Sequence, residues 1–226
     1  MPAFVRQLAD FGEASDYQLN MIKNNSQGKF IVIEGLDGSG QTTQVKLLKE
    51  YLEGKGFDVV VTKEPTQPIQ GSYFSSVAQD IRDVLDKVKT IEAKTFQEMF
   101  AQDRKEHLDN QIIPALEQGK WVVCDRYAFS SFAYGTAHGN DMDFLMSLNQ
   151  NFLMPDYVFL LKVSPQTCMQ RVVRRNEGIK FFEVEEKLAN TWKQYEDVTK
   201  RFPEIEIIDG EKSIKDVHKE IISKIK

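Results

Sequence analysis

The sequence has little cysteine, no long hydrophobic run and no excess of positive charge. Its two cysteines, Cys124 and Cys168, belong to no C-x-x-C pair and have no histidine nearby at metal-ligand spacing. A disulfide scaffold and a zinc site are therefore not expected. No apolar run approaches the roughly 20 residues of a membrane-spanning helix. Because residues 1–28 mix charged with apolar positions, we read no signal peptide and expect a cytoplasmic chain without a membrane partner.

The charge balance argues against a general nucleic-acid binder. Lys and Arg number 29 against 34 Asp and Glu, which gives a net charge of −5. We therefore expect no nucleic-acid partner. Whole-chain charge does not exclude a local basic pocket for a phosphorylated small molecule. With 41% hydrophobic and 28% charged residues, the composition is that of a globular protein.

Short apolar runs alternate with amphipathic segments after an N-terminal extension. The turn-rich residues 24–28 end this extension, residues 1–28, and the functional domain is expected at 29–226. Five runs are typical of buried strands: 30–33, 59–62, 121–124, 157–163 and 205–208. Helical patterns occur at about 40–53, 73–88, 93–118, 141–151, 165–176, 183–201 and 213–225. This alternation predicts an α/β fold whose mainly parallel, five-stranded sheet is flanked by helices.

A glycine-rich loop follows the first of these strands. Its pattern is G-x-x-x-x-G-K-T with the lysine replaced by Gln41. Glycines allow the backbone N–H groups to surround a phosphate, and the next helix adds its positive dipole end. The Thr42 hydroxyl is expected to bind Mg²⁺. The predicted nucleotide-phosphate site comprises Gly35, Leu36, Asp37, Gly38, Ser39, Gly40, Gln41, Thr42 and Thr43.

Gln41 is an objection to a fully active phosphoryl-transfer enzyme. The loop lysine normally places a positive charge on the β and γ phosphates. A glutamine amide donates hydrogen bonds but carries no charge. We therefore expect Gln41 to lower the rate of phosphoryl transfer more than the affinity for nucleotide. If transfer is retained, another cation is expected to compensate.

The third strand is followed at once by Asp125, Arg126 and Tyr127. A carboxylate at the end of a buried parallel strand beside a phosphate loop is where such proteins hold Mg²⁺, so Asp125 is the candidate. Arg126 suits bidentate binding of a phosphate. A surface salt bridge is the alternative interpretation of both charges.

Four motifs in order resemble the thymidylate kinase family. They are residues 34–40 (EGLDGSG), 63–65 (KEP), 100–104 (FAQDR) with His107, and 125–134 (DRYAFSSFAY). The resemblance covers about residues 29–225. It implies a three-layer P-loop kinase fold with a mobile lid, a homodimer, and phosphoryl transfer from ATP to dTMP with Mg²⁺, which yields ADP and dTDP for dTTP synthesis.

The resemblance also implies roles for individual residues. Phe100 is expected to stack on thymine and Arg104 to hydrogen-bond its O4, while Arg126 bridges the dTMP phosphate and the transferred group. Asp37 is expected to hold the sugar 3′-hydroxyl or a phosphate-bound water. Further dTMP-side residues implied by the resemblance are Glu64, Pro65, Arg82, Ser131 and Tyr134. Taken singly, Phe100 and Tyr134 could be core aromatics and Arg82 a solvated helix charge.

The implied lid lies at about residues 171–183 and is rich in positive charge. Arg171, Arg174, Arg175 and Lys180 fall within ten residues of an otherwise acidic chain. A solvated helix face is the alternative interpretation of this cluster. Arg174 and Arg175 are the candidates for contact with ATP, and they join Asp37, Asp125 and Arg126 as predicted catalytic residues.

Two other functions remain open at this point. Gln41 favours a catalytically impaired protein that binds dTMP or ATP. The second alternative is a kinase that acts on dUMP or another deoxynucleoside monophosphate. A thymine methyl in an apolar pocket contributes only about 1–3 kcal/mol to discrimination between dTMP and dUMP.

Overall fold

A five-stranded parallel sheet forms the centre of the chain. The computed structural model describes residues 20–68, 73–174 and 181–226, the side chains of 181–184 excepted. The strands are β1 (Ile22–Lys23), β2 (Phe30–Gly35), β3 (Val59–Lys63), β4 (Trp121–Asp125), β5 (Leu153–Met154), β6 (Tyr157–Lys162) and β7 (Ile205–Asp209). The central sheet has the order β3-β4-β2-β6-β7, with every pair parallel. The five predicted strands and their parallel arrangement are confirmed.

Helices cover both faces of this sheet. They are α1 (Gln41–Gly54), α2 (Ala78–Leu85), α3 (Ala93–His107), α4 (Ile113–Glu117), α5 (Ala128–Ala137), α6 (Met142–Leu148), α7 (Pro165–Val173), α8 (Phe181–Arg201) and α9 (Ile214–Lys224). A π-helical stretch, Leu108–Ile112, joins α3 to α4, so the helical pattern predicted at 93–118 is nearly continuous. Within the described ranges, no helix combines the length and the apolar character needed to cross a membrane.

The side chains of β2 show why the fold has three layers. Phe30 and Val32 belong to the core that includes residues of α5 and α8, whereas Ile31 and Ile33 belong to the core packed by α1 and α9. All six residues of β2 are buried, because a central parallel strand has helices on both faces. This placement brings the loop after β2 to the middle of the carboxyl edge.

Besides the short strands β1 and β5, the sequence patterns did not predict helix α5. Its apolar residues leave no polar stripe from which a helical period can be read. Phe129 and Phe132 are fully buried, and Phe202 at the end of α8 packs against both rings at centroid distances of 5.3 and 5.6 Å. Tertiary burial on several sides therefore accounts for the missed helix.

The last part of the N-terminal extension packs on the domain. Strand β1 pairs in parallel with β5, and the Asn24 side chain donates to Asp156 Oδ2 at 2.6 Å and to the Gly28 carbonyl at 3.0 Å. Residues 20–28 are thus held by the core, although the sequence placed them outside it. Residues 1–19 lie outside the described part of the chain.

Candidate active site

The phosphate loop, residues 35–40, lies at the carboxyl edge of the sheet between β2 and α1. Leu36 is fully buried and anchors the loop in the core. Gly38 and Gly40 have φ angles of 88° and 100°, a conformation that favours glycine. Thr42 and Thr43 lie exposed in the first turn of α1. The Thr43 N–H donates to the Gly40 carbonyl at 3.1 Å, and the N–H groups before it start a helix, where they have no partner within the helix. Such a helix start suits a phosphate group.

Asp125, Thr42 and Lys63 meet beside this loop. The Thr42 hydroxyl donates to Asp125 Oδ2 at 2.8 Å, and Lys63 Nζ lies 3.0 Å from the same oxygen. The sheet register accounts for the contact with the lysine, since Lys63 at the end of β3 pairs with Asp125 at the end of β4. The two predicted Mg²⁺ ligands are therefore brought together, with a cation that the sequence reasoning did not assign.

The donor set fits a magnesium ion. The Asp125 carboxylate is only 4% exposed, and its Oδ1 atom has no hydrogen-bond partner among the described residues. The same part of the chain contains no cluster of three or more His, Cys, Asp or Glu suited to a metal. Mg²⁺ keeps several waters and is commonly held by one or two carboxylates together with substrate phosphates, so one carboxylate and a hydroxyl are sufficient.

Arg126 follows Asp125 and points back over the phosphate loop. Its Nη2 atom lies 2.8 Å from Asp37 Oδ1 and 3.1 Å from Gln41 Oε1, and Nη1 donates to Ser130 Oγ at 3.1 Å. The side chain is 12% exposed. Burial alone would lower the pKa of Arg126, but nearby Tyr134 and Asp37 raise it. The guanidinium is thus charged and oriented at the loop.

Tyr134 completes the contact between α5 and the loop. Its hydroxyl donates to Asp37 Oδ2 at 3.2 Å and accepts the Asp37 backbone N–H at 3.1 Å. The Arg126 guanidinium lies 5.1 Å from the centre of the Tyr134 ring. Burial raises the pKa of Tyr134, so the phenol keeps its proton for the Asp37 carboxylate. Asp37, Arg126 and Tyr134 therefore form one cluster.

Two side chains of the loop region each have one buried polar atom without a hydrogen-bond partner among the described residues. Gln41 is 6% exposed, and its Nε2 donor has no partner among the described residues, nor has Ser39 Oγ. An unpaired buried donor is costly unless a ligand or water satisfies it. Their position beside the start of α1 makes a phosphate oxygen a suitable partner.

Glu34 links the loop to α5 and α8, and the sequence reasoning assigned it no role. Its carboxylate accepts hydrogen bonds from the Tyr127 and Ser130 N–H groups at 2.9 and 3.1 Å, and from the Ser130 and Tyr195 hydroxyls at 2.6 and 2.9 Å. Burial raises the pKa of this carboxyl, and the hydrogen bonds oppose that shift. An acidic residue at the end of an otherwise apolar strand is the signal that could have identified it.

Arg104 lies in a buried polar cluster with Glu64. Its Nε donates to Glu64 Oε2 at 2.8 Å, its Nη2 donates to Ser131 Oγ at 3.0 Å, and its Nη1 donates to Asn149. His107 Nδ1 lies 3.2 Å from Glu64 Oε1. An arginine has five N–H donors, so these three bonds leave two for a ligand. The predicted residues Glu64, Arg104 and Ser131 are therefore brought together.

The remaining predicted dTMP-side residues lie around this cluster. Phe100, half-buried on α3, packs against Phe96 with the ring centres 4.9 Å apart, and Pro65 follows Glu64 directly. Arg82 on α2 donates to the Thr66 carbonyl at 3.0 Å. Gln97, one turn before Phe100, is a buried side chain that the sequence reasoning missed, and its Oε1 has no partner within the described ranges.

The predicted lid is described only in part. Arg171 on α7 donates from Nη1 to the Gly38 carbonyl at 3.1 Å, so this member of the basic cluster reaches the phosphate loop. Arg174 follows α7 and is exposed. Arg175 and Lys180 lie outside the described residues.

Comparisons with known proteins agree with this geometry. A family model described as thymidylate kinase matches residues 33–221. A relative from Pyrococcus horikoshii, named probable thymidylate kinase, is 38% identical over 201 residues. The match covers 88% of this chain and 97% of the relative's length. Another relative of that name, from Thermococcus kodakarensis, is 40% identical over 202 residues, and the match covers 87% of this chain and 96% of that relative's length.

A solved structure supports the same assignment. The crystal structure of thymidylate kinase from Ehrlichia chaffeensis shares 29% identity and a TM-score of 0.69 with this chain, over 88% of this chain and 99% of that one. The three-layer arrangement, the phosphate loop and the matched length agree with one another, and the chain belongs to the thymidylate kinase family.

Proposed function

We propose that this chain transfers the γ-phosphoryl group of Mg-ATP to dTMP, giving ADP and dTDP. One observation carries the proposal: the Arg126 guanidinium contacts both Asp37 and Gln41 of the phosphate-loop region from the start of α5. A planar cation in that position can bind phosphates of donor and acceptor together. The family of the chain supports this reaction.

The donor side consists of the phosphate loop and the start of α1. Residues 35–43 bind the ATP phosphates through backbone N–H groups other than those of Asp37, Ser39 and Thr43, which donate within the protein. Gln41 Nε2 donates to a phosphate oxygen. Thr42 and Asp125 hold Mg²⁺, directly or through water. When bound, Mg²⁺ neutralises charge on the β and γ phosphates. Arg174 and Arg175 of the lid, residues 171–183, are proposed to approach ATP on closure and exclude water.

The acceptor side lies between α3 and α5. Phe100 stacks on the thymine ring, while Arg104 uses a remaining N–H to bind its O4 and is oriented by Glu64 and Ser131. Asp37 and Tyr134 face the sugar. Pro65 and Arg82, together with Glu64, shape the dTMP side of the site. Positioning and electrostatics of these groups supply the catalysis, because phosphoryl transfer needs little covalent chemistry from the protein.

Transfer of labelled γ-phosphate from ATP to dTMP tests the proposal. We expect turnover in the range of about 1–100 per second that is typical of kinases. Binding of dTMP without turnover by the unmodified chain would instead support the impaired-binder alternative that Gln41 suggested. Competition between dTMP and dUMP distinguishes the two acceptors.

The organisation of the protein is proposed on the same basis. We take residues 29–226 as the kinase domain and residues 1–28 as an extension, and we expect a cytoplasmic homodimer as the family resemblance implies. Large apolar side chains on and after α2, Leu85 at 53% and Val88 at 73% exposure, are compatible with a subunit contact. Sedimentation equilibrium measures the assembly state.

A further inference from the structure

We propose that Lys63 supplies the positive charge that Gln41 cannot place on the ATP phosphates. The inference rests on the proposed function and concerns how the site works without a lysine in the phosphate loop. Lys63 ends β3, and its Nζ atom lies 3.0 Å from Asp125 Oδ2, which also accepts the Thr42 hydroxyl. Thr42 is the immediate neighbour of Gln41, so this ammonium group lies at the side of the site that the missing lysine would serve.

Of the cations that the described residues place beside the phosphate loop, the other two already have partners there. Arg126 contacts Gln41, but its Nη2 atom is also paired with Asp37, and the proposed reaction engages it at both phosphates. Arg171 donates to the carbonyl of Gly38. The Lys63 side chain is 31% exposed, and its one polar partner among the described residues is a carboxylate that is expected to bind Mg²⁺.

Binding of the metal provides a physical reason for Lys63 to turn toward the phosphates. In the described structure the ammonium group is the cation paired with the buried Asp125 carboxylate. Once that carboxylate binds a divalent cation, the lysine and the metal repel each other at short range. Four rotatable bonds let the ammonium move to the nearest concentration of negative charge, which is the phosphate chain. The cation would then act as the loop lysine does elsewhere.

A set of four variants tests the proposal. We expect Lys63→Met to lower kcat by about 100-fold, the typical loss of one charge-stabilising group. Adding Gln41→Lys to Lys63→Met should raise kcat again by about 10-fold or more. Gln41→Lys alone should change kcat by less than about 3-fold. Lys63→Arg retains the charge and should keep most of the activity. A labelled-phosphate assay measures all four.

A binding measurement adds a readout that needs no turnover. Calorimetry with a non-hydrolysable ATP analogue and Mg²⁺ should show about 10-fold weaker binding by Lys63→Met, because one charge-assisted hydrogen bond is lost. In EDTA, where Lys63 stays paired with Asp125, the two proteins should differ less. Lys29→Met is the matched control. Lys29 Nζ also lies 3.0 Å from an aspartate, Asp156, but at the opposite edge of the sheet, so this variant should leave both measurements unchanged.

Two results would overturn the inference. One is wild-type kcat together with wild-type analogue affinity in Lys63→Met. The other is a loss of kcat that Gln41→Lys does not relieve, which would mean that Lys63 only holds Asp125 in place. If Lys63→Met fails to fold, Lys63→Gln answers the same question, because its amide can still donate to Asp125. Failure of the unmodified protein to phosphorylate dTMP would instead overturn the proposed function, and the binding measurement would still decide the role of Lys63.

Discussion

Arg126 shows how one side chain can connect several parts of a site. Its φ angle of 74° is unusual for a residue with a side chain, and its backbone N–H donates to the Ile33 carbonyl at 3.0 Å. The strand ends therefore hold the backbone in a conformation that the residue alone disfavours. That conformation lets the guanidinium reach Asp37 and Gln41 from the start of α5.

Replacing Arg126 by methionine should damage catalysis more than folding. We expect kcat to fall by about 100- to 1000-fold, because the variant lacks a fixed cation at the reacting phosphates. Thermal unfolding measured without ligand should stay close to that of the unmodified protein, since Asp37 is exposed and can be solvated. Retention of wild-type kcat, or collapse of the ligand-free fold, would contradict the assignment of Arg126 to the site.

Arg104 is the opposite case, since its charge serves the fold in addition to its proposed role in binding the base. It forms an ion pair with Glu64 in which both side chains are almost fully buried. We expect Arg104→Met to lower the free energy of unfolding by about 3–5 kcal/mol, because it leaves a buried carboxylate without its cation. Urea denaturation measures this loss.

The next residue on α3 provides the control. Lys105 pairs with Asp109 at 2.6 Å, but both side chains are about half exposed. Lys105→Met should cost less than about 1 kcal/mol, because solvent screens exposed pairs. Equal losses in the two variants would show that burial is not what makes the Arg104 pair important.

At the scale of elements, α7 packs closely against the phosphate loop at Gly38. A Cβ atom added to Gly38 would lie 2.5 Å from the Cys168 carbonyl oxygen of α7, and the φ of 88° already disfavours a side chain. Arg171 of the same helix donates to the Gly38 carbonyl. The helix that leads into the proposed lid thus contacts the loop directly, and only glycine fits between them.

Alanine at Gly38 should therefore disturb both stability and nucleotide binding. We expect a loss of about 1–3 kcal/mol in the free energy of unfolding and a higher KM for ATP, because the loop or α7 must shift. Gly54→Ala is the control, since this glycine ends α1 with nothing within 4 Å of an added Cβ and should gain about 0.5–1 kcal/mol. An unchanged KM in Gly38→Ala would contradict the contact.

At the scale of the whole molecule, Glu34 joins the centre of the sheet to two helices of one face. Its carboxylate contacts Tyr127 and Ser130 around the start of α5 and Tyr195 on α8. This buried group connects the phosphate loop with α8, whose first residues belong to the proposed lid. Since burial raises its pKa above 4.5, the folded state binds its proton more tightly than the unfolded state does.

The stability of the fold should therefore depend on pH through Glu34. Between pH 4.5 and the higher folded-state pKa, the folded protein carries more protons, so its stability falls as pH rises through this window. Glu34→Gln lacks this titration. We expect the stability of the unmodified protein relative to Glu34→Gln to decline from pH 4.5 upward in denaturant titrations. A difference that is constant with pH, or that grows in favour of Glu34, would contradict the raised pKa.

The sequence by itself determined the sheet, its parallel strands and the phosphate loop. Local patterns suffice for these features, because buried strands are continuous apolar runs and a tight phosphate loop needs glycines at set positions. The pairing of Asp125 with Thr42 was also foreseeable, since parallel strands end at one edge of the sheet.

Only the tertiary structure decided what surrounds those residues. It placed Lys63 on Asp125, Glu34 among the hydroxyls of Ser130 and Tyr195, and Arg104 in a buried ion pair with Glu64. It also made a helix of residues 128–137, whose buried aromatic residues carry no helical stripe. Each of these contacts joins residues that are distant along the chain. Sheet order and helix packing bring them together, and local sequence periodicity contains no information about either.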